Sequence, residues 1–189
     1  DPAKPGNRNL LAATLGRIGD YDEAFGIYGE LVEVIPTHAK LWMSYGHMLK
    51  TVGRQEEAVA AYRRALDVQP GLGEVWWSLA NLKTVAFDPQ DIAAMERALA
   101  DDAGHEDALH LHFALGKAYG DDGSAIEQSF RHYAAGNRLR SVELAYDPDA
   151  TTAQVDRMIA VLTPPFVEDH HDVGHPAADP VYILGLPRA

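Results

Sequence analysis

Five residue pairs lie 34 positions apart and in one register: Gly19 with Gly53, Ala24 with Ala58, Tyr28 with Tyr62, Pro36 with Pro70, and Trp42 with Trp76. A unit of that length is too short to own a core, so each must bury its apolar face against the next. The clearest unit covers residues 39–72, "AKLWMSYGHMLKTVGRQEEAVAAYRRALDVQPGL". Trp42, Tyr45, Gly46 and Leu49 fall at helical spacing on a first helix, and Gly53 marks a turn. Ala58, Tyr62 and Ala65 share one face of a second helix, which Pro70 stops. Small residues at 46, 58 and 65 let the two backbones approach, while Trp42 and Tyr62 fill the remaining volume.

This unit resembles the tetratricopeptide repeat, W-x2-L-G-x2-Y, then A-x3-F, then P, with Tyr45, Leu49 and Tyr62 as conservative departures. A first unit, about residues 5–37, keeps Gly19, Ala24, Tyr28 and Pro36 but has Arg8 where the aromatic belongs, as suits an end repeat. The third begins near Gly73 with Trp76, Leu79 and Ala80; its "FDPQDIAAMERAL" is about one residue short, and Pro89 opens the second helix in place of a glycine turn. A fourth carries Leu115, Gly116, Tyr119 and Gly123 on pattern, with Ser129, Tyr133 and Gly136 displaced by one residue. The resemblance implies an all-α chain: a right-handed α-solenoid of stacked antiparallel helix pairs over residues 1–146. Residues 147–162 read as a further short helix capped by Thr151 or Thr152, with Val155, Met158, Ile159 and Leu162 along it, and residues 163–180 as a linker.

Composition narrows the function. Sixteen Lys and Arg against 28 Asp and Glu give a formal charge of −12, which repels a polyphosphate backbone and argues against nucleic acid as a partner. No apolar run approaches the roughly 18 residues needed to cross a bilayer. With no cysteine, thiolate catalysis and Cys-ligated zinc are excluded, and the chain suits a reducing cytoplasm.

Solenoids of this kind bind extended peptides on the face lined by their first helices. Counting about 100° per residue from the core-facing positions, that face should present Lys40 at its entrance, then Met43, His47 and Lys50, then Trp77, Asn81 and Thr84, then Phe113 and Lys117. Lysines 40, 50 and 117 would favour an acidic or carboxylate-ended peptide, with Trp77 as an apolar anchor. Pairing of two subunits is a further use of such a face. The plainer reading makes the lysines ordinary solvated positions and packs Trp77 against its neighbouring repeat.

Other groupings carry less. "DHHDVGH", with His170, His171, Asp172 and His175, has ligand-type residues but no rigid element to orient them, and reads as solvated linker rather than a metal site. His110 and His112 are about 200° apart on a helix and cannot face one ligand. The acids of "DPQD" and "DDAGHED" read as helix caps and solubilising charge. No Ser–His–Asp grouping, Walker loop or calcium loop is present.

The chain closes on "PVYILGLPRA", a short β-prone run entering a turn, unlike anything before it. This looks like the first strand and phosphate-binding loop of sulfotransferases that use 3′-phosphoadenosine 5′-phosphosulfate (PAPS), whose pattern is like GLPRSGTT. "LHFALGKAY", "HYAAGNRLR" and "YDPDAT" are similar to segments of bacterial proteins joining tetratricopeptide repeats to such a domain. The resemblance implies that residues 181–189 begin the sulfotransferase domain, with Gly185, Pro187 and Arg188 as part of the loop that holds the 5′-phosphate of PAPS. It also implies that the chain is cut there, with Ala189 where the family has Ser, so that no catalytic set is complete and this fragment itself needs no cofactor. The repeats would then hold an acceptor or a partner subunit. The rival is a free-standing repeat adaptor whose last strand is incidental.

Overall fold

Apolar residues at helical spacing, interrupted by glycine or proline at each expected stop, give helices throughout the computed structural model, which describes residues 4–144, 146–171 and 173. Among these no strand occurs. The helices are α1 (Pro5–Ile18), α2 (Tyr21–Val34), α3 (Ala39–Thr51), α4 (Gln55–Val68), α5 (Gly73–Asn81), α6 (Pro89–Ala100), α7 (His105–Asp122), α8 (Ile126–Leu144), α9 (Pro148–Val161) and α10 (Pro164–Asp169). The first eight form one unit, and α9 and α10 belong to another.

The period reappears as repeated contacts. Trp42 Nε1 donates to the Pro36 carbonyl at 2.9 Å, and Trp76 Nε1 donates to that of Pro70 at 2.8 Å. Each indole thus ties a first helix to the proline that ended the preceding unit. Gly19 and Gly53 take φ of 89° and 81°, the left-handed conformation that glycine adopts without a Cβ clash. Within the second and fourth pairs, a ring from the second helix lies on the backbone of the first: a Cβ at Gly46 would come within 2.6 Å of the Tyr62 ring, and one at Gly116 within 2.9 Å of Tyr133.

Packing then runs from pair to pair. Ala12, Leu15, Ala24, Tyr28, Leu31 and Leu41 make an N-terminal core. Leu49, Ala58, Tyr62, Trp76, Leu79, Met95, Leu111 and Leu115 make the larger one. Phe25, Trp42 and Tyr45 pack against both, so the two are one seam. Trp42 is only half-buried, whereas Trp76 is 3% exposed, covered by the Phe87 ring at 6.0 Å between centroids and by the Arg63 guanidinium.

The third unit departs most. After α5 ends at Asn81, Lys83 turns left-handed at φ 62°, and α5 packs on α4 and α7 and only lightly on α6. The close approach of α5 to α7 falls at Gly73, whose N–H donates to the Asp107 carboxylate at 2.8 Å. Asp88 opens α6 with a capping box completed by Asp91, and Asp91 also receives both guanidinium nitrogens of Arg63, Nη2 at 2.7 Å. That guanidinium lies over the Trp76 ring at 5.7 Å.

Corrections to the sequence reading come in the second unit. Asp147, not Thr151 or Thr152, caps α9, accepting from Asp149 N at 2.9 Å and Ala150 N at 3.2 Å. The two threonine hydroxyls instead donate back to carbonyls one turn earlier. The expected linker from residue 163 begins with a helix: Thr163 caps α10, and Pro164 and Pro165, expected only as a stop, occupy its first turn, where a missing N–H costs nothing. The expected strand and loop at residues 181–189, including Gly185, Pro187 and Arg188, lie outside the described residues.

Three stability outcomes follow. Gly73→Ala is expected to cost about 1–3 kcal/mol, because its Cβ would meet the Asp107 backbone oxygen at 2.3 Å and neither backbone can yield. Gly26→Ala, on the exposed side of α2 with open space around it, should instead gain about 0.5–1 kcal/mol. Urea midpoints of the two variants should move in opposite directions. Asp91→Ala should cost about 1–2 kcal/mol, the usual loss on stripping a buried ion-pair partner being discounted because the Arg63 side chain is 37% exposed.

Candidate functional site

The first helices α3, α5 and α7 carry the residues expected on the inner face, and the structure gathers them into two groups. Between α3 and α5, His47 Nε2 shares a 3.1 Å hydrogen bond with the Ser78 hydroxyl, and its ring meets Tyr62 edge-on at 5.5 Å. Burial, the largest effect, pushes the His47 imidazole below its ordinary pKa, Glu74 working against that and Lys50 with it. At neutral pH it is therefore an uncharged hydrogen-bonding group. Met43 is half-buried against the main core, while Lys40 and Lys50 are exposed.

Between α5 and α7 lies a cavity of about 380 Å³ lined by Trp77, Ala80, Asn81, Lys83, Lys117, Asp121 and Tyr133. Its two aromatic lining residues are both braced by Phe113: Trp77 packs on Phe113 at 5.5 Å between centroids, and Phe113 on Tyr133 at 6.1 Å. Gly136 makes that stack fit, since a Cβ there would stand 3.2 Å from the Phe113 ring. Lys117 is ion-paired with Asp121 one turn on, which offsets the positive charge the sequence suggests for this face.

Thr84 is placed elsewhere. Because α5 stops at Asn81, Thr84 leaves the helical register and accepts a hydrogen bond from Gln55 Nε2, lining a cavity of about 860 Å³ with Arg54, Glu57, Val59 and Val85. The cation in the α5–α7 cavity that counting along the helix missed is Lys83, brought in by its left-handed backbone. Its signal in the sequence was the shortened third unit. A third cavity, about 300 Å³, has Arg17, Tyr28, Ser44, His47 and Thr51 in its lining, of which only His47 was expected.

The remaining histidines divide. His170 stacks on Phe166 at 4.2 Å and hydrogen-bonds its carbonyl through Nδ1 at 2.7 Å, so it is engaged by its own helix. Among the described residues no group of three or more His, Asp or Glu is placed to hold a metal ion, and no helix is long and apolar enough to cross a membrane. His112 on α7 faces His132 on α8, their Nδ1 atoms 3.0 Å apart.

Comparison with known proteins fits this architecture. Residues 39–82 match the model of the tetratricopeptide repeat family. A stretch of 70 residues, 37% of this chain, is 31% identical to the "Small glutamine-rich tetratricopeptide repeat-containing protein 2" of Mycosarcoma maydis, of which it covers 20%. Over 168 residues, 88% of the chain, it is 27% identical to a protein of Aquifex aeolicus (strain VF5) described as "Uncharacterized protein", of which it covers 22%. The chain thus spans about a fifth of the length of either relative. Among solved structures, a crystal structure of MamA matches with a TM-score of 0.55 at 17% identity, covering 77% of this chain and 84% of that one. BtubC (BKLC) from P. vanneervenii matches with a TM-score of 0.54 at 21% identity, over 76% and 66%. At such identities the likeness is one of fold, and the fold is a stack of tetratricopeptide-type helical repeats.

His47 gives a direct check. Its folded pKa lies below the unfolded value of about 6.5, so its contribution to stability is complete above that pH and declines as pH falls toward the folded pKa. His47→Gln, which can still hydrogen-bond Ser78, should leave a shallower dependence of the urea midpoint on pH, and an imidazole NMR titration should place His47 on the acid side of an ordinary histidine.

Proposed function

We propose that this chain is a protein-interaction module whose inner face holds an extended peptide, anchored in the α5–α7 cavity. The observation that carries the reading is the cavity itself: Trp77 and Tyr133, each packed on Phe113, line it beside Asn81 and Lys83, at the position where first helices line a solenoid. An apolar side chain would lie against Trp77 while Asn81 pairs with peptide backbone. Lys83, which has no ion pair among the described residues, favours an acidic side chain or a terminal carboxylate, and on a chain of charge −12 it is a local exception. Lys40 and Lys50, exposed near the His47 end, extend the same preference. Tetratricopeptide repeats serve protein–protein recognition, and a second copy of this chain is one form such a partner takes.

The finer reading, that these repeats serve a PAPS-dependent sulfotransferase, rests on the resemblance of residues 180–188 and of the segments upstream. None of the relatives named above is described as a sulfotransferase, and a free-standing adaptor suits the fold equally. Residues following Ala189 that read Gly-Thr-Thr and open a helix would favour the transferase.

Binding is tested by fluorescence anisotropy on an array of extended octapeptides varied in charge and in one apolar position. The best ligands should combine an aliphatic or aromatic anchor with an acid. Trp77→Ala should weaken them by about tenfold or more. Lys83→Glu should weaken acidic ligands selectively and flatten their salt dependence. Ligands insensitive to both changes but weakened by Arg64→Glu, on the outer surface of α4, would move the site off the inner face.

A further inference from the structure

We propose that the fourth helix pair, α7 with α8, is closed by two histidines sharing a proton and that it opens on acidification. The inference does not depend on what the inner face binds. His112 on α7 and His132 on α8 meet Nδ1 to Nδ1 at 3.0 Å, with ring centroids 5.2 Å apart. Two such nitrogens make a hydrogen bond only if one carries a proton and the other does not. The pair therefore tolerates one added proton, taken on the outer nitrogen of the donor ring, and rejects a second, which would point two N–H groups and two positive charges at each other. Titration belongs to the pair rather than to either residue.

Nothing nearby relieves that repulsion cheaply. The backbone approach is close: a Cβ at Gly136 on α8 would stand 3.2 Å from Phe113 and 3.4 Å from the His112 Cβ, so the ring planes cannot slide apart without moving a helix. Tyr119 on α7 stacks on His132 at 5.6 Å and donates its hydroxyl to Glu96 on α6, tying a third helix to the same point. The other charges acting there divide: Arg138 on α8 opposes a cation at His112, and Glu96 favours one at His132. From α5 the neighbour is Trp77, through its stack on Phe113. At the other end of the pair, His105 Nε2 and Glu143 stand 2.9 Å apart, a contact that protonation strengthens. Opening should thus begin at the His112 end and stay local.

Burial first, and then each other's charge in the case of His112, holds these imidazoles below the ordinary histidine pKa. The open pair consequently binds more protons than the closed one below about pH 6.5, and the closed form is fully favoured only above it. One extra proton shifts the opening equilibrium about tenfold per pH unit across that window.

The test is hydrogen–deuterium exchange of the whole chain at about pH 7.5 and about pH 5, corrected for intrinsic exchange, together with an NMR titration of the histidine rings. Peptides from α7 and α8 should lose protection by about tenfold per pH unit below 6.5 relative to those from α1 and α2, which contain no histidine. His132→Gln should reduce that difference several-fold, since a glutamine cannot take the second proton and only burial and Arg138 then oppose a charge on His112. Equal behaviour of the two regions in the wild-type chain, or two imidazoles titrating independently at ordinary histidine pH, would overturn the proposal even if the variant failed to fold.

Discussion

The spacing of the helical stack is set, in its second and fourth pairs, by one kind of contact: an aromatic ring from the second helix packed on a position of the first helix that has no side chain. Tyr62 over Gly46 and Tyr133 over Gly116 set the spacing within their pairs, and at the distances found even one methyl group would have to displace the ring. Large-to-small and small-to-large changes are both costly in such an interior, because it is packed to the density of a crystal. With the pairs so fixed, the indoles of Trp42 and Trp76 reach back to the carbonyls that end the preceding units, and the stack acquires its register.

The third unit shows what happens when that arrangement is partly given up. Asp91 stands on α6 near where the earlier second helices carry the buried alanines 24 and 58, and a carboxylate cannot be buried without partners. Arg63 from the unit before supplies them, lying across Trp76 as it does so. The packing of one repeat on the next is here ionic as well as apolar. The shortened α5 that accompanies this change turns Lys83 inward beside Trp77 and carries Thr84 away toward Gln55. A break in the repeat is thus what sets, beside Trp77 and Tyr133, a cation that has no ion pair among the described residues.

Histidine plays two different parts on the first helices. His47 is held neutral by burial and bridges α3 to α5 through Ser78, a contact that either tautomer makes. His112 stands where the second and third units carry Trp42 and Trp76, and it exchanges their neutral anchor to a proline carbonyl for a proton shared with α8. The last pair, like the α3–α5 contact at His47, is thus a place in the stack where packing and proton uptake are coupled.

Much of this was legible in the sequence, for a physical reason: helices stacked at a fixed interval must repeat their small and large residues at that interval, so residues 46, 58, 62 and 76 announce their burial by position alone. The ends of helices were legible too wherever glycine or proline stood, but not at α9, where Asp147 outcompeted the threonines because it lies outside the helix and can turn its carboxylate onto free N–H groups. Which charges stand open and which are cancelled was decided only by the tertiary structure. Lys117 finds Asp121 within its own helix, Lys83 enters the cavity because a backbone turned, and His112 meets a partner 20 residues away on another helix. Periodicity dictates which residues face inward; the meeting of two side chains from different helices depends on distances that no spacing along the chain encodes.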